Sequence, residues 1–276
     1  MEYFKEAVRI YRFHFGPNHT CLAEILNGIG DIHGERKDFD SALKSYDRAL
    51  KIYREYLGEG ACEVGHSLHK IGVIYDYMEK YEQSLRYFTE ALDILKQALG
   101  NNDLSVALSL SNVSINFARK GQYAQSYDLC LKALRTRHAI LGSNHLDVLD
   151  TLYNMGNILD EWGKLDQAMK FYSEALVKYR LNLGDDNEDV ANCLQSICLI
   201  HIRNEKHNTA IPLLFDALRI YRIKGGSESL DVAGVLFNLG RIYGKGADYT
   251  KALLLQRMFK SSNETIEFES CRYLRR

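Results

Sequence analysis

Gly142 to Leu183 reads GSNHLDVLDTLYNMGNILDEWGKLDQAMKFYSEALVKYRLNL, and this stretch decides the fold because related copies of it fill the chain. A glycine opens each copy, and consecutive glycines are 42 residues apart: Gly16, Gly58, Gly100, Gly142, Gly184 and Gly226. A fixed period of this length is typical of proteins that stack small structural units, and it has to be recognised before any shorter motif is interpreted. We therefore predict one continuous array with a shared core rather than separate globular domains.

The copies align into columns that indicate two helices in each copy. In the first half, a column of leucines is followed four residues later by a column of small residues, and this spacing places both on one helix face. This half is predicted to form helix A, about residues 146–162 in the fourth copy. The leucine column comprises Leu26, Leu68, Leu110, Leu152, Leu194 and Leu236, and the small column comprises Gly30, Gly72, Ser114, Gly156, Cys198 and Gly240.

The second half of each copy is predicted to form helix B, about residues 165–183 in the fourth copy. Two columns of mainly alanine run along it, and small side chains let neighbouring helices approach closely. We expect Gly156 and Ala168 to face each other across the hairpin, and Ala175 to meet the next copy. The two columns comprise Ala42, Ser84, Ser126, Ala168, Ala210 and Ala252, and then Ala49, Ala91, Ala133, Ala175, Ala217 and Phe259.

The residues between the helices predict how each helix ends. The opening glycine suits a left-handed cap after helix B, because glycine adopts positive φ without strain. Asn144 and Asp186, which follow two of these glycines, suit the N-cap of the next helix A. Since only the first turn of a helix tolerates proline, Pro212 predicts that the fifth helix B starts near Asn208 or Thr209.

The period also predicts where the copies lie. The ranges are helix B of a truncated leading copy (1–15), complete copies (16–57, 58–99, 100–141, 142–183 and 184–225), an incomplete sixth copy (226–260) and an irregular C-terminal tail (261–276). Stacked repeats need polar-faced caps, and neither end supplies one clearly. We expect the chain to be a fragment of a longer array; the alternative is that exposed apolar ends mediate self-association.

These columns resemble the tetratricopeptide repeat (TPR). Helix A has its bulky, small and aromatic pattern, and helix B its two alanines, as in GSNHLDVLDTLYNMGNI (142–158) and YSEALVKYR (172–180). The extended unit is similar to the 42-residue repeat of kinesin light chains, over residues 1 to about 260. The resemblance implies an all-α, right-handed superhelical solenoid of antiparallel helix pairs. HEAT and armadillo repeats, with a period of about 40–47 residues, are the structural alternative, which the glycine and alanine columns disfavour.

In the TPR family, a second face of helix A lines a concave groove that binds peptides. The resemblance implies a groove here formed by Asn27, Asp31, His66, His69, Asp76, Ser111, Asn112, Arg119, Asp150, Tyr153, Asn154, Asn157, Asp160, Asn192, Gln195, Phe237, Asn238 and Arg241. The column of Asn112, Asn154 and Asn238 resembles asparagines that hold peptides in kinesin light chains. A solvated helix face would need similar polar residues. The implied function is a protein-binding scaffold or adaptor; the alternative is a regulatory or sensor domain of a larger signalling protein.

Bulk composition narrows the possible partners and location. The net charge of −1 leaves no basic excess to neutralise phosphates, so nucleic acid is not an expected partner. No apolar run approaches the roughly 20 residues of a membrane span, and the N-terminus lacks the apolar core of a signal peptide. The six cysteines show no framework spacing, so we expect reduced thiols and a cytoplasmic protein.

Few residues predict chemistry. Cys193, Cys198, His201 and His207 resemble a zinc-binding set, but each of the last three also fits a repeat column, so core packing explains them without metal. His66 and His69 share a helix face but lack an obvious orienting partner. No phosphate loop or hydrolase motif is present in the sequence. We therefore expect a non-catalytic protein with no cofactor and no metal.

Overall fold

A computed structural model of the chain describes residues 2–16 and 19–245, and every regular element in them is an α-helix. The helices are α1 (Glu2–Phe15), α2 (Thr20–Glu35), α3 (Phe39–Leu57), α4 (Cys62–Tyr77), α5 (Tyr81–Leu99), α6 (Leu104–Arg119), α7 (Tyr123–Leu141), α8 (Leu146–Glu161), α9 (Leu165–Leu183), α10 (Glu188–Arg203), α11 (His207–Gly225) and α12 (Leu230–Lys245). Even-numbered helices are A helices and odd-numbered helices are B helices. The predicted all-α repeat fold is confirmed.

The described residues divide into two compact units, one within Met1–Lys164 and the other within Leu165–Arg276. In the first unit, α3 packs against both α2 and α4, and α5 packs against both α4 and α6. Helix α7 likewise packs against α6 and α8, so each B helix is shared by two consecutive A helices. In the second unit, α10 packs against α9 and α11, and α11 packs against α12.

The alanine columns of the B helices lie in the core. Every described member of both columns is fully buried, including the serines that replace alanine in the second and third copies: Ala42, Ser84, Ser126, Ala168 and Ala210, and Ala49, Ala91, Ala133, Ala175 and Ala217. Small side chains at these places let a B helix contact the A helices on both sides. The leucine column is buried too, except for Leu236, which is half-buried.

In the first and second copies, the small residue of helix A faces an aromatic ring of helix B. The expected contact between Gly156 and Ala168 in the fourth copy stays a prediction. A Cβ atom on Gly30 would lie 2.4 Å from the Tyr46 ring, and one on Gly72 would lie 2.8 Å from the Phe88 ring. Tyr46 and Phe88 come four residues after the first alanine column, so in these two copies the ring is what a side chain at the glycine would meet. The alignment of alanines alone missed this bulky column.

Helix A ends in a tight left-handed turn that leads directly into helix B. In the second copy, the Glu79 N–H donates to Asp76 O (2.9 Å) and the Lys80 N–H donates to Tyr75 O (2.9 Å), which is the Schellman arrangement. Glycine supplies the positive φ at Gly121 and Gly163, but Lys37, Glu79 and Glu205 adopt φ of 57–60° at the equivalent place. The left-handed cap therefore follows helix A, not helix B as predicted.

Helix B ends at a glycine of a different conformation. Gly58 has φ 87° and ψ 166°, and Gly100 has φ 83° and ψ 174°, a region that only glycine adopts readily. The N-cap of the next helix A then falls one residue later than predicted. His145 and Asn187, rather than Asn144 and Asp186, accept the capping hydrogen bonds, from the N–H groups of Asp147 and Asp189.

Pro212 does not shorten the fifth helix B. Helix α11 begins at His207, where the repeat places it, because the backbone N–H groups of Thr209 and Ala210 bond to the Lys206 carbonyl. The proline lies in the second turn and deprives only its own position of a helical N–H. The predicted end of the sixth copy and the tail, residues 246–276, lie outside the described residues.

Candidate functional site

Several polar residues predicted to line a groove connect neighbouring copies in the first unit. Asn27 Nδ2 donates to Ser67 Oγ at 3.2 Å, joining α2 to α4. Asp31 accepts from Lys70 Nζ (2.6 Å) and from the Tyr46 hydroxyl (2.7 Å). We call this row of contacts between consecutive A helices the seam. These hydrogen bonds hold neighbouring copies together. The side chains of Asn27 and Asp31 therefore already use part of their hydrogen-bonding capacity within the protein.

The two histidines of the second copy belong to the seam between α4 and α6. His66 Nε2 lies 3.1 Å from Ser105 Oγ. His69 Nδ1 lies 3.3 Å from Ser109 Oγ, and His69 Nε2 lies 3.2 Å from Asn112 Nδ2. Burial lowers the pKa of His69 to about 4, and nearby His66 and Lys70 add to the effect. His69 is therefore a neutral structural group at physiological pH.

A pocket of about 210 Å³ opens beside this seam, between the second and third copies. It brings together Asp76, Asn112 and Arg119, three of the residues predicted to bind a peptide. Arg119 pairs with the Asp76 carboxylate, and its guanidinium carbon lies 4.5 Å from the centre of the Tyr81 ring. The remaining lining residues are Val73, Tyr77, Phe88, Ile115 and Asn116. The pocket thus combines apolar walls with an ion pair and two carboxamides.

Five of these lining residues were not predicted from the sequence as site residues: Val73, Tyr77, Phe88, Ile115 and Asn116. The first four are apolar or aromatic, and nothing in their residue type separates them from the core. Asn116 does carry a signal, because it interrupts a column that is otherwise isoleucine: Ile32, Ile74, Ile158, Ile200 and Ile242. A single polar residue in a column that is apolar in the other copies is therefore a sequence signal for a possible site residue.

Ser111 does not belong to an open groove. Its side chain is buried, and its hydroxyl donates to the Ala107 carbonyl one turn earlier at 3.1 Å. A hydroxyl that bonds back to its own helix offers no free donor to a ligand. The prediction that Ser111 lines the groove is therefore wrong.

The predicted residues of the fourth copy lie on α8, the last helix of the first unit. Asp150 is exposed, while Tyr153, Asn154, Asn157 and Asp160 are half-buried. They follow one another along the same side of the helix as the seam residues of earlier copies, as their spacing of three and four requires. Their role in binding remains a prediction.

In the second unit, the predicted residues form two separate groups. The Tyr221 hydroxyl lies 2.7 Å from Asn192 Oδ1 and 2.9 Å from Gln195 Oε1, so both are tied to helix α11. Phe237 is exposed, and the Arg241 guanidinium carbon lies 5.9 Å from its ring centre. Asn238 is buried, which removes it from the surface on which it was predicted.

The cysteines and histidines of the suspected zinc set occupy core or partly buried positions. Cys193 and Cys198 are fully buried, and burial raises the pKa of each thiol to about 12. Such thiols are poor nucleophiles and poor metal ligands. Within residues 2–16 and 19–245, no three His, Cys, Asp or Glu side chains form a set able to hold a metal ion. None of the helices described is both long and apolar enough to cross a membrane.

Comparison with known proteins identifies the type of repeat. The Tetratricopeptide repeat profile matches four overlapping segments: residues 2–55, 23–97, 63–126 and 105–180. A search among curated proteins finds no significant match. The TPR-type resemblance inferred from the columns is therefore confirmed.

Several solved structures share the fold at low sequence identity. BtubC (BKLC) from P. vanneervenii superposes with a TM-score of 0.70 and 18% identity, covering 81% of this chain and 89% of that one. A Podosopora anserina protein described as a kinesin light chain with nearly identical TPR-like repeats gives 0.63 and 13% identity, covering 74% and 97%. The apo form of RapI gives 0.68 and 18% identity, covering 94% of this chain and 68% of RapI. At these identities the likeness extends to the fold alone.

Proposed function

The chain belongs to the tetratricopeptide repeat family, and from this premise we propose that its first unit binds a peptide segment of another protein in the pocket between α4 and α6. Repeats of this family are generally protein-interaction units. The observation that carries the proposal is the pocket itself, where apolar walls meet the Asp76–Arg119 pair and Asn112. Peptide sites commonly combine an apolar recess with a few polar groups that fix orientation.

The chemistry of the pocket suits a segment of mixed polarity. Val73, Phe88 and Ile115 provide the apolar contact, and burial of a methylene against them is worth about 0.8 kcal/mol. The guanidinium of Arg119 has five N–H groups, so donors remain available beside its bond to Asp76. The proposed role needs binding only and no catalytic step.

Selection from a phage-displayed library of random peptides tests this proposal. Ile115→Arg places a long charged side chain in the pocket and should abolish capture of the peptides selected on the unaltered protein. Ile140→Arg, the same change at an exposed position of α7, is the matched control and should leave capture unchanged. Melting curves establish that both variants fold. Equal capture by both variants would place the binding site elsewhere.

An adaptor role in the cytoplasm is the finer part of the proposal. It rests on the fold shared with a protein described as a kinesin light chain. The same fold occurs in RapI and in an aspartyl phosphate phosphatase of Bacillus subtilis, so a regulatory domain remains the alternative. Isolation of a tagged chain from cells, with its partners identified by mass spectrometry, distinguishes the two: an adaptor retains two different proteins at once, whereas a regulatory domain retains one.

A further inference from the structure

An arginine near the end of α3 is paired with two carboxylates of the following copy. Arg54 Nη2 lies 2.8 Å from Glu90 Oε1 on α5. Arg54 Nε lies 2.8 Å from Glu59 Oε2, in the loop that follows α3. The charge of this arginine is therefore compensated within the protein, by residues that hold consecutive B helices together.

Forty-two residues earlier in the chain, both acidic partners are missing. Arg12 on α1 is the equivalent of Arg54. Arg48 on α3 is the equivalent of Glu90, and a proline replaces Glu59. The repeat therefore brings two guanidinium groups together, where the next two B helices have an arginine and a glutamate.

The two guanidinium groups influence each other and lack a counter-charge. Partial burial lowers the pKa of Arg48, and the positive charge of Arg12 lowers it further. Neither arginine forms an ion pair with any carboxylate that the structure describes. Arg48 is exposed and Arg12 is half-buried, with Arg12 Nε buried, so an anion could reach Arg12 only at its terminal Nη groups.

The nearest acidic residues act elsewhere. Glu6 on α1 is paired with Arg9 at 2.7 Å. Asp47 precedes the α3 arginine in sequence, but its charge contributes, after burial and Tyr75, to the raised pKa of Tyr87 on α5. That helix is the next B helix in the opposite direction along the array. The repulsion between the two arginines is thus left for an external anion to relieve.

A phosphate monoester is the anion that suits two guanidinium groups. Each planar guanidinium can donate two parallel N–H bonds to phosphate oxygens, and a dianion compensates both charges, whereas one carboxylate compensates a single charge. A polyanion such as nucleic acid needs a longer series of unpaired cations, and the chain has a net charge of −1. Ile10 and Phe13, within one turn of Arg12 on α1, are exposed and offer apolar contacts to residues beside the phosphate.

We infer that Arg12 and Arg48 form a binding site for a phosphorylated side chain of a partner protein. The site lies on two B helices and shares no residue with the pocket between α4 and α6. The inference therefore goes beyond the proposed peptide-binding function and does not depend on it.

Capture of synthetic peptide libraries tests the inference. Each library is random except for one fixed central residue, which is phosphoserine, serine or glutamate. The unaltered protein should retain the phosphoserine library about tenfold better than the serine library, as expected for charge-assisted hydrogen bonds. Glutamate, with one charge, should give weaker retention than phosphoserine. Inorganic phosphate should compete with the phosphoserine library.

Arg48→Glu is the decisive variant because it introduces the acidic residue of the second copy and gives Arg12 a partner. In phosphate-free buffer it should raise the melting temperature, and it should abolish the preference for phosphoserine, so loss of folding cannot explain the result. Lys132→Glu is the matched control, since Lys96 and Lys132 are the equivalents of Arg12 and Arg48 two copies later. It makes the same change in net charge and should keep the preference.

Three results would overturn the inference. Equal retention of the phosphoserine and serine libraries would show that no phosphorylated side chain is recognised. An equal loss of preference in Lys132→Glu and Arg48→Glu would assign the preference to net charge. If inorganic phosphate raises the melting temperature through Arg48 but phosphoserine is not preferred, the site takes free phosphate and not a partner protein. Because Ile115→Arg leaves both arginines in place, failure of the pocket proposal is measured separately.

Discussion

At the scale of single residues, His69 is held as a neutral imidazole between two copies. Asn112 Nδ2 approaches its Nε2 at 3.2 Å, and an amide nitrogen can only donate, so Nε2 must carry the lone pair. Nδ1 then carries the proton and faces Ser109 Oγ. Protonation of Nε2 would set two donors against each other inside a half-buried seam.

This arrangement predicts a loss of stability in mild acid. The pKa of His69 is about 4 in the folded chain, against an ordinary 6.5, so between these values the unfolded chain binds a proton that the folded chain does not. The free energy of unfolding therefore rises with pH across this window. The contribution is complete above about pH 6.5 and is lost as the pH falls to about 4, by up to about 3 kcal/mol.

Melting curves at several pH values check this prediction. His69→Gln introduces the residue found at the equivalent place in the fifth copy, Gln195, and should flatten the dependence between pH 6.5 and pH 4. His66→Gln, at an exposed position on the same helix, removes only the smaller contribution of His66 to the His69 pKa and should keep most of the pH dependence. Parallel curves for all three proteins would show that His69 titrates normally.

At the scale of the helix pair, the turn after an A helix carries avoidable backbone strain in the three copies that have Lys37, Glu79 or Glu205 there instead of glycine. Glu79 has φ 59°, a left-handed conformation that costs a non-glycine residue about 1–2 kcal/mol. Glu79→Gly should stabilise the protein by about 0.5–1 kcal/mol, because the greater freedom of glycine in the unfolded chain offsets part of the gain. Urea denaturation measures the difference.

The reverse change at the same place in the next copy is the control. Gly121 has φ 74°, and a Cβ atom there would meet no other atom within 4 Å, so Gly121→Ala changes only the backbone preference. It should destabilise by about 1 kcal/mol. If Glu79→Gly instead lowers stability, the extra conformational entropy of glycine in the unfolded chain outweighs the relief of backbone strain at this turn.

The close packing of the Phe88 ring against Gly72 gives a second prediction for the helix pair. A Cβ atom on Gly72 would lie 2.8 Å from the Phe88 ring, so Gly72→Ser should cost about 1–3 kcal/mol through overpacking. The third copy has Ser114 and Cys130 at the equivalent places, and both are buried. Gly72→Ser combined with Phe88→Cys should therefore recover part of the loss.

A double-mutant cycle measures this coupling. Phe88→Cys alone removes a buried ring and should cost about 3 kcal/mol or more. The double variant should be more stable than the sum of the two single changes by about 0.5–3 kcal/mol, since the residues are in contact. Additive losses would mean that glycine and ring do not constrain each other.

At the scale of the whole molecule, the repeat made most of the fold predictable. Each position of the repeat occurs in six copies, so one unusual residue such as Cys198 did not obscure the pattern. The bounds of α9 match the predicted residues 165–183, and α8 ends one residue before the predicted 162. The caps were harder, because the glycine conformation after helix B shifts the N-cap by one residue, from Asn144 to His145.

The candidate site was less predictable because it depends on contacts between copies. Asp76, Asn112 and Arg119 were predicted from the resemblance to the tetratricopeptide repeat, and they do line one pocket. The sequence did not reveal that the His69 and Asn112 side chains bond to each other, since that depends on how far one A helix is offset from the next. Ser111 was misplaced because its hydroxyl can bond to its own helix instead of facing outward.

The identical glycine joints have an evolutionary consequence. Gly58, Gly100, Gly142 and Gly226 share nearly the same φ and ψ, and each stands 42 residues, or a multiple of 42, from the others. Removing or duplicating the DNA between two such codons rejoins the polypeptide in an unchanged local geometry. Unequal crossing-over in the gene can therefore change the number of repeats while the local backbone geometry that connects them stays the same.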